Sequence, residues 1–350
     1  MSTAPKGRGA GINTPNRFSK LRVEQDEEWA DHRDDELSDP VTQFITEYPK
    51  SIVSDAESPD LEGFTSVNPY RGCEHGCIYC FARNSHEYWG FSAGLDFETR
   101  IIVKMNAPDL LEQAFNSKKW RPRVIHLSGN TDCYQPAEKK FGLTRRLLEV
   151  CLRYRNPVAI LTKNALVRRD LDILQELAQM NLASVALSVT TLNETTRRAL
   201  EPRTATGQKR LDTLGELHRA GIPVGVMTAP LIPGLNDHEV PAIIKAASER
   251  GACWAGFTIV RLNGAIGGIF TEWVRRHYPD RADKILNQIR ACHNGSLNDS
   301  RFYQRMRGEG VLAQTIQQMH QLACNRFLAG RTAPQLDTTR FIKGGQLRLF

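Results

Sequence analysis

Residues Tyr70 to Ala82 read YRGCEHGCIYCFA and place Cys73, Cys77 and Cys80 within eight residues. Offsets of four and three are those of one helix face. The surrounding residues argue against a helix: Pro69 precedes the stretch, Gly72 and Gly76 interrupt it, and Arg71, Glu74 and His75 fall around the first two thiols. Two glycines cost a helix about 2 kcal/mol relative to alanine, whereas a sharply bending loop has use for both. The stretch predicts a glycine-bent loop that aims three thiolates at one point.

Soft sulfur ligands select zinc, copper(I) or iron–sulfur clusters. Structural zinc usually closes with two well-separated ligand pairs, and no second C-x2-C or H-x3-H pair follows. His75, His86 or Cys133 stays open as a fourth zinc ligand. A [4Fe–4S] cubane suits the pattern better, because three cysteines hold three irons and leave the fourth for an exogenous ligand.

With Tyr79 just before its last cysteine, the C-x3-C-x2-C spacing of CEHGCIYC resembles the signature of the radical S-adenosylmethionine (radical SAM) enzymes. The resemblance implies that Cys73, Cys77 and Cys80 bind the cluster and that SAM chelates the open iron through its amino and carboxylate groups. Reductive cleavage of SAM then yields a 5′-deoxyadenosyl radical that abstracts hydrogen from substrate. It also implies that Tyr79 lies near the adenine, and that an electron donor such as flavodoxin or ferredoxin serves the cluster.

The 350-residue chain is 41% hydrophobic, enough for a large core. Its net charge of +7 is unevenly spread. Residues 1–60 hold 7 Lys/Arg and 13 Asp/Glu, leaving 39 basic and 26 acidic side chains in the remainder. That asymmetry favours a polyanionic partner, nucleic acid and DNA in particular, with the acidic run Glu24–Asp39 able to mask the basic face. The N-terminus lacks an apolar signal region and no run of eighteen apolar residues occurs, so the expectation is a soluble, cytoplasmic chain without membrane contact. Eight cysteines then read as reduced thiols or ligands.

Residues 1–45 read as a mobile polar and acidic arm, 46–290 as the core, 291–330 as a helical extension and 331–350 as a loosely specified tail. Apolar strands are predicted at 64–68, 124–128, 158–162, 184–189, 224–228 and 256–260, with helices over 109–116, 144–154, 169–180, 208–220 and 238–250. This alternation argues an α/β fold with a parallel sheet. Six such units give the partial (β/α)6 TIM-like barrel that the radical SAM resemblance implies, with one side open to a large substrate. RIIVK (100–104) is an additional strand, and 272–277, 281–292 and 310–327 are helices.

Such barrels place chemistry at the C-terminal ends of their strands. By the resemblance, Thr131 and Asp132 of SGNTDCYQPAE bind the SAM amino group, Ser188 and Thr190 the ribose, and Arg203 of LEPRTA the carboxylate. Lys163 offers a further charge to a carboxylate or phosphate, and the turn in APLIPGLND approaches an adenine edge. These runs, over residues 60 to 290, resemble the spore photoproduct lyase branch, which implies a DNA-repair lyase type of reaction. Cys133 is the candidate hydrogen-atom donor, although it follows the Thr-Asp pair where that branch has its cysteine before it. Radical modification of RNA or of a protein side chain is the alternative. The closing QLRLF resembles the bacterial sliding-clamp-binding motif, with Gln346, Leu347, Leu349 and Phe350 as its anchors, which keeps a non-catalytic metal-binding module at the replication clamp as a third reading.

Overall fold

The computed structural model describes residues 5–18 and 41–345. Its main sheet has seven strands in the order β10-β9-β8-β7-β6-β3-β2. Six of them are mutually parallel: β3 (Thr65–Val67), β6 (Ile125–Leu127), β7 (Val158–Thr162), β8 (Ala183–Ser188), β9 (Val224–Leu231) and β10 (Trp254–Ile259). β2 (Val53–Asp55) adds an antiparallel edge. The expected partial (β/α)6 barrel is therefore the observed fold.

The strands form where β-branched and apolar runs are too short for a helix. Ile125, Leu127, Val158, Ile160, Val185 and Leu187 are buried in one continuous core with Leu147, Leu148, Leu174 and Leu214 of the crossover helices. The helices begin on polar caps. Thr206 accepts a hydrogen bond from the Lys209 amide at the start of Gly207–Arg219, and Asn193 accepts one from Thr196 before Glu194–Leu200. Such caps satisfy amides that a helix start leaves open. The helix predicted at 272–277 is longer, Ile266–His277, because Gly267 and Gly268 are accommodated within it.

RIIVK is a strand, but in a separate sheet, where β5 (Arg100–Lys104) lies between β1 (Gln43–Glu47) and β4 (Tyr70–Arg71). The cysteine stretch thus starts from a strand and leaves it at Gly72.

Three segments are more ordered against the body than their composition suggests. Residues 8–10 of the expected arm dock on Glu98, whose carboxylate accepts the Gly9 and Ala10 amides at 2.9 Å each. The acidic run Glu24–Asp39 lies outside the described residues, as does QLRLF. Residues 331–345 cross the N-terminal end of the barrel: the Arg331 guanidinium donates to the Ser248 and Ala252 carbonyls, and the Asp337 amide to the Asn181 carbonyl. The side expected to be open is bridged. The Ile259 amide of β10 donates to the Met306 carbonyl, and Arg305 of the same loop pairs with Asp60, next to the β2–β3 edge, at 2.5 Å.

Candidate active site

Both glycines of the cysteine loop adopt the left-handed conformation, with φ of 72° at Gly72 and 68° at Gly76. A Cβ on Gly76 would stand 2.7 Å from a Glu98 oxygen, and one on Gly72 2.9 Å from the Phe97 carbonyl. Only glycine meets both the conformation and the space. The loop is then fixed from outside. The Cys73 amide donates to Phe97 O at 2.8 Å and the Ile78 amide to Leu200 O at 3.0 Å. Gln135 brackets the first turn, donating to the Gly72 carbonyl and accepting from the Glu74 amide, each at 3.0 Å.

Behind the loop lies a buried ion pair. Arg83 and Glu98 are both 0% exposed, and their nearest atoms are 2.5 Å apart. Arg83 also donates to the Cys77 carbonyl at 3.0 Å and to the Ala93 and Gly94 carbonyls. Each remaining charge-bearing atom finds a partner, as burial of an ion pair requires.

Cys73 and Cys77 are buried and Cys80 partly so; all three are free thiols. Burial foremost, then the charge of Asp132 and the neighbouring thiols, pushes the Cys73 thiol well up. Iron bound there would reverse that preference by supplying positive charge. Among the described residues no three His, Cys, Asp or Glu side chains are placed to share a single metal ion. The fourth-ligand candidates for zinc sit in different surroundings, and the buried ring nitrogens of His86 make no hydrogen bond among the described residues. His75 Nδ1 stands 3.3 Å from Asp132 and its Nε2 3.2 Å from the Asn164 amide group. His86 packs between Phe91 and Phe97. Cys133 is fully buried, its amide on Ser128 Oγ at 2.8 Å and its carbonyl accepting Thr144 Oγ1 at 2.6 Å.

The strand-end residues gather beside the loop in two groups. Asp132 accepts the Tyr134 amide and the Thr162 hydroxyl on one oxygen and the Lys163 amide on the other. Burial alone would raise its carboxyl; the His75 ring and these donors outweigh that and hold it at about 2. Thr131 donates to the Tyr70 carbonyl at 2.7 Å. The second group centres on Glu201, fully buried, which accepts from Tyr79 Oη, from Thr190 Oγ1 at 2.6 Å and from Arg210 at 2.5 Å. Burial opposes its charge, but Arg210 and Lys163 prevail and hold it at about 2. Lys163 Nζ lies 5.9 Å from the Tyr79 ring and has no hydrogen-bonding partner among the described residues. Ser188 donates to the Ala229 carbonyl, and Arg203 stands 3.3 Å from Glu74 in the cysteine loop.

Sequence reasoning missed Arg83, Glu98, Gln135, Glu201 and Arg210. Glu201 stands in the same LEPRTA run as Arg203, and Arg83 is three residues past Cys80. Nothing local signals Glu98.

A glycine-bent loop carries three free thiols at the C-terminal rim of a six-stranded parallel barrel, a set suited to holding an iron–sulfur cluster. The chain belongs to the Radical SAM superfamily, which it matches over residues 67–247. It is accordingly a radical SAM enzyme, with the superfamily's [4Fe–4S] cluster and S-adenosylmethionine as cofactors. It is 36% identical over 227 residues to an uncharacterized protein of Mycobacterium tuberculosis, covering 64% of this chain and 67% of that one. A protein of Methanocaldococcus jannaschii is 32% identical over 63% of this chain and 79% of its own length. A Pseudomonas phage M6 protein named radical SAM Nα-GlyT isomerase is 26% identical over 57% of this chain and 43% of its own. Among solved structures, spore photoproduct lyase in complex with dinucleoside spore photoproduct shares the fold, with a TM-score of 0.60 at 13% identity over 84% of this chain and 82% of the lyase.

Proposed function

We propose that this radical SAM enzyme acts on nucleic acid, most simply DNA, in a reaction of the repair-lyase type. The observation that carries the reading is a basic rim beside the cysteine loop. Lys139, Arg168, Arg169, Arg203 and Lys209 line a cavity of about 550 Å³ there, with Glu216 as the acidic side chain among them. Arg169 and Arg203 are occupied by buried carboxylates, Glu138 and Glu74. Lys139 and Lys209, both exposed, are left to meet phosphates. The lyase whose fold the chain shares is known with a dinucleoside lesion bound, which agrees with this reading.

In this reading Cys73, Cys77 and Cys80 would hold the cluster, which when bound would supply the electron for reductive cleavage of SAM to a 5′-deoxyadenosyl radical. The electron comes from a flavodoxin- or ferredoxin-type donor. Lys163 is the cation assigned to the SAM carboxylate, because its ammonium makes no hydrogen bond among the described residues, although its charge also favours the Glu201 carboxylate, while Arg203 faces Glu74. Tyr79, held by Glu201, offers its ring to the adenine, and Ser188 and Thr190 stand at the ribose end. Thr131 and Asp132 have their acceptors and donors largely engaged, so they act by holding the rim turn in shape. Cys133 lies sealed behind that turn, where a hydrogen-donor role requires the turn to open.

No helix among the described residues is long and apolar enough to cross a membrane, which agrees with the cytoplasm as its place of action. The QLRLF end is proposed to dock on the replication clamp. Deleting Gln346–Phe350 should abolish clamp capture and leave SAM cleavage intact. The phage relative's name favours one second reading, a radical isomerisation in place of lysis. The experiment for the main proposal is anaerobic reconstitution, reduction with SAM, and mass spectrometry of defined oligonucleotides. Formation of 5′-deoxyadenosine stimulated by DNA, with an altered oligonucleotide, supports it; 5′-deoxyadenosine formed at the same rate with every nucleic acid and none altered rejects it.

A further inference from the structure

Residues 8–13 read RGAGIN, and the two glycines mark where this segment comes closest to the rest of the molecule. Gly9 lies on the cysteine loop itself, so that a Cβ there would stand 1.9 Å from the Gly76 carbonyl oxygen. A Cβ on Gly94, in the turn facing the segment, would stand 2.0 Å from the Ile12 carbonyl. Gly9 is outside the positive-φ set, so its requirement is space alone. On its other side the segment is covered by Arg276 of the helix Ile266–His277, whose guanidinium would lie 2.1 Å from a Cβ on Gly11.

Hydrogen bonds then stitch the segment to the chain that carries the cysteines. Besides the Gly9 and Ala10 amides held by the Glu98 carboxylate, the Arg8 guanidinium donates to the Glu98 carbonyl at 2.8 Å and to Thr42 Oγ1 at 3.0 Å. Thr42 passes the contact on, donating to Glu74 between Cys73 and Cys77 at 3.1 Å. Further along, the Leu95 amide donates to the Ile12 carbonyl, the Asp96 amide to Asn13 Oδ1 at 3.0 Å and the Thr14 amide to Ser92 Oγ at 2.7 Å. Asn16 donates to the Glu87 and Phe91 carbonyls at 2.8 and 3.0 Å, and the Phe18 ring stacks on Tyr88 at 4.8 Å. Thr42 apart, these partners fall in residues 87–98, between the cysteines and β5.

Glu98 serves both sides of this seam. Through Arg83 it bears on the Cys77 carbonyl, and through its own oxygens it holds the Gly9 and Ala10 amides. Two events that order one shared set of groups are coupled, and the coupling acts equally in both directions.

We infer that residues 8–18 form a strap that positions the cysteine loop, so that cluster binding tightens the strap and the docked strap retards loss of the cluster. Arg8, Gly9 and Ala10 are positioning residues, acting on the thiols through Glu98 and Glu74. The inference rests on the assignment of the cluster to Cys73, Cys77 and Cys80 and is independent of the substrate.

The test reads the coupling from each end. Trypsin cuts after arginine, and Arg8 and Arg17 both lie in the strap. Cleavage after each, followed by mass spectrometry, should be at least about fivefold slower in the reconstituted holoprotein than in the cluster-free protein, the lower end of typical coupling between sites. In the other direction, Gly9→Val sets a side chain where the Gly76 carbonyl stands, and its cluster should lose iron to a chelator at least about fivefold faster than the native one. The protection conferred by the cluster at Arg17 should vanish in the same variant, a loss that a merely structural role would not produce. Thermal midpoints of the cluster-free proteins establish folding; should Gly9→Val fail to fold, Asn13→Ala, which removes the exposed side chain holding the Asp96 amide, carries the comparison. Because the coupling is reciprocal, equal cleavage with and without cluster, or equal iron release from native and variant proteins, overturns the strap. A native protein that takes up no iron on reconstitution overturns the cluster assignment along with it.

Discussion

Arg83 and Glu98 meet at 2.5 Å with neither side chain exposed, and between them they hold the Cys77 carbonyl, the Gly9 and Ala10 amides and the turn at Ala93–Gly94. Removing one partner strands the other charge in the interior, at a cost of about 3–5 kcal/mol. Glu98→Ala should lower the thermal midpoint of the cluster-free protein and reduce iron bound after reconstitution. Unchanged iron content with an unchanged midpoint would show that the pair does not govern the loop.

The ligand set is separable by iron analysis. Cys77→Ala should lose the cluster's visible absorption and most of its iron, whereas Cys133→Ala should keep both. Cys133 is walled in by Ser128 and Thr144, away from solvent. Iron loss in Cys133→Ala would make it a ligand and break the three-cysteine assignment.

Gly76 permits a sharper test of the same loop. Gly76→Ala must place a methyl group 2.7 Å from Glu98 while adopting φ of 68°. Strain of this kind costs of order 1–3 kcal/mol. A lower unfolding midpoint and weaker cluster retention under mild chelation should follow, with Gly90→Ala, whose added Cβ meets nothing within 4 Å, as the milder comparison at a similar φ.

The barrel's bridged side should respond to acid. The Arg305 hydrogen bond, aided by Ser58, outweighs desolvation and lowers Asp60 from its ordinary 3.8 to about 2. A depressed carboxyl stabilises the fold above its unfolded pKa and loses that contribution as pH falls through the folded one. The Arg305–Asp60 contact should therefore be intact at neutral pH and weaken from about pH 4 to about pH 2. Thermal midpoints measured across that window should fall more steeply for the native protein than for Asp60→Asn; parallel curves would exclude a contribution from this pair.

Charge on the rim should set the salt dependence of DNA binding. Each phosphate contact contributes a slope of about −0.9 in log K against log salt on duplex DNA. Lys139→Gln with Lys209→Gln should flatten the slope by nearly two such contacts. An unaltered slope would place the DNA elsewhere.

The cysteine loop and the strand order were legible because their signals are local: glycines where a bend is needed, and apolar runs of strand length between amphipathic helices. The supports of the loop were not. Arg83, Glu98, Glu201 and Arg210 find their roles only when the fold brings distant partners to them, as Glu201 and Tyr79 are 122 residues apart. The tail misled for the same reason. Its Gly- and Pro-containing sequence has no periodicity, yet backbone groups of Tyr154 and Asn181 fix it in place.

Gly345, the last described residue, rests against Arg153 and Tyr154, where the helix Leu143–Tyr154 turns into β7. That is the pole of the barrel opposite the cysteine loop. On the proposed clamp-docking reading, a partner engaged near that point would lie away from the cysteine loop, so tethering and turnover would not compete for surface. A tethered enzyme of this geometry would present its reactive face outward, free to sample passing strands while its anchor stays engaged.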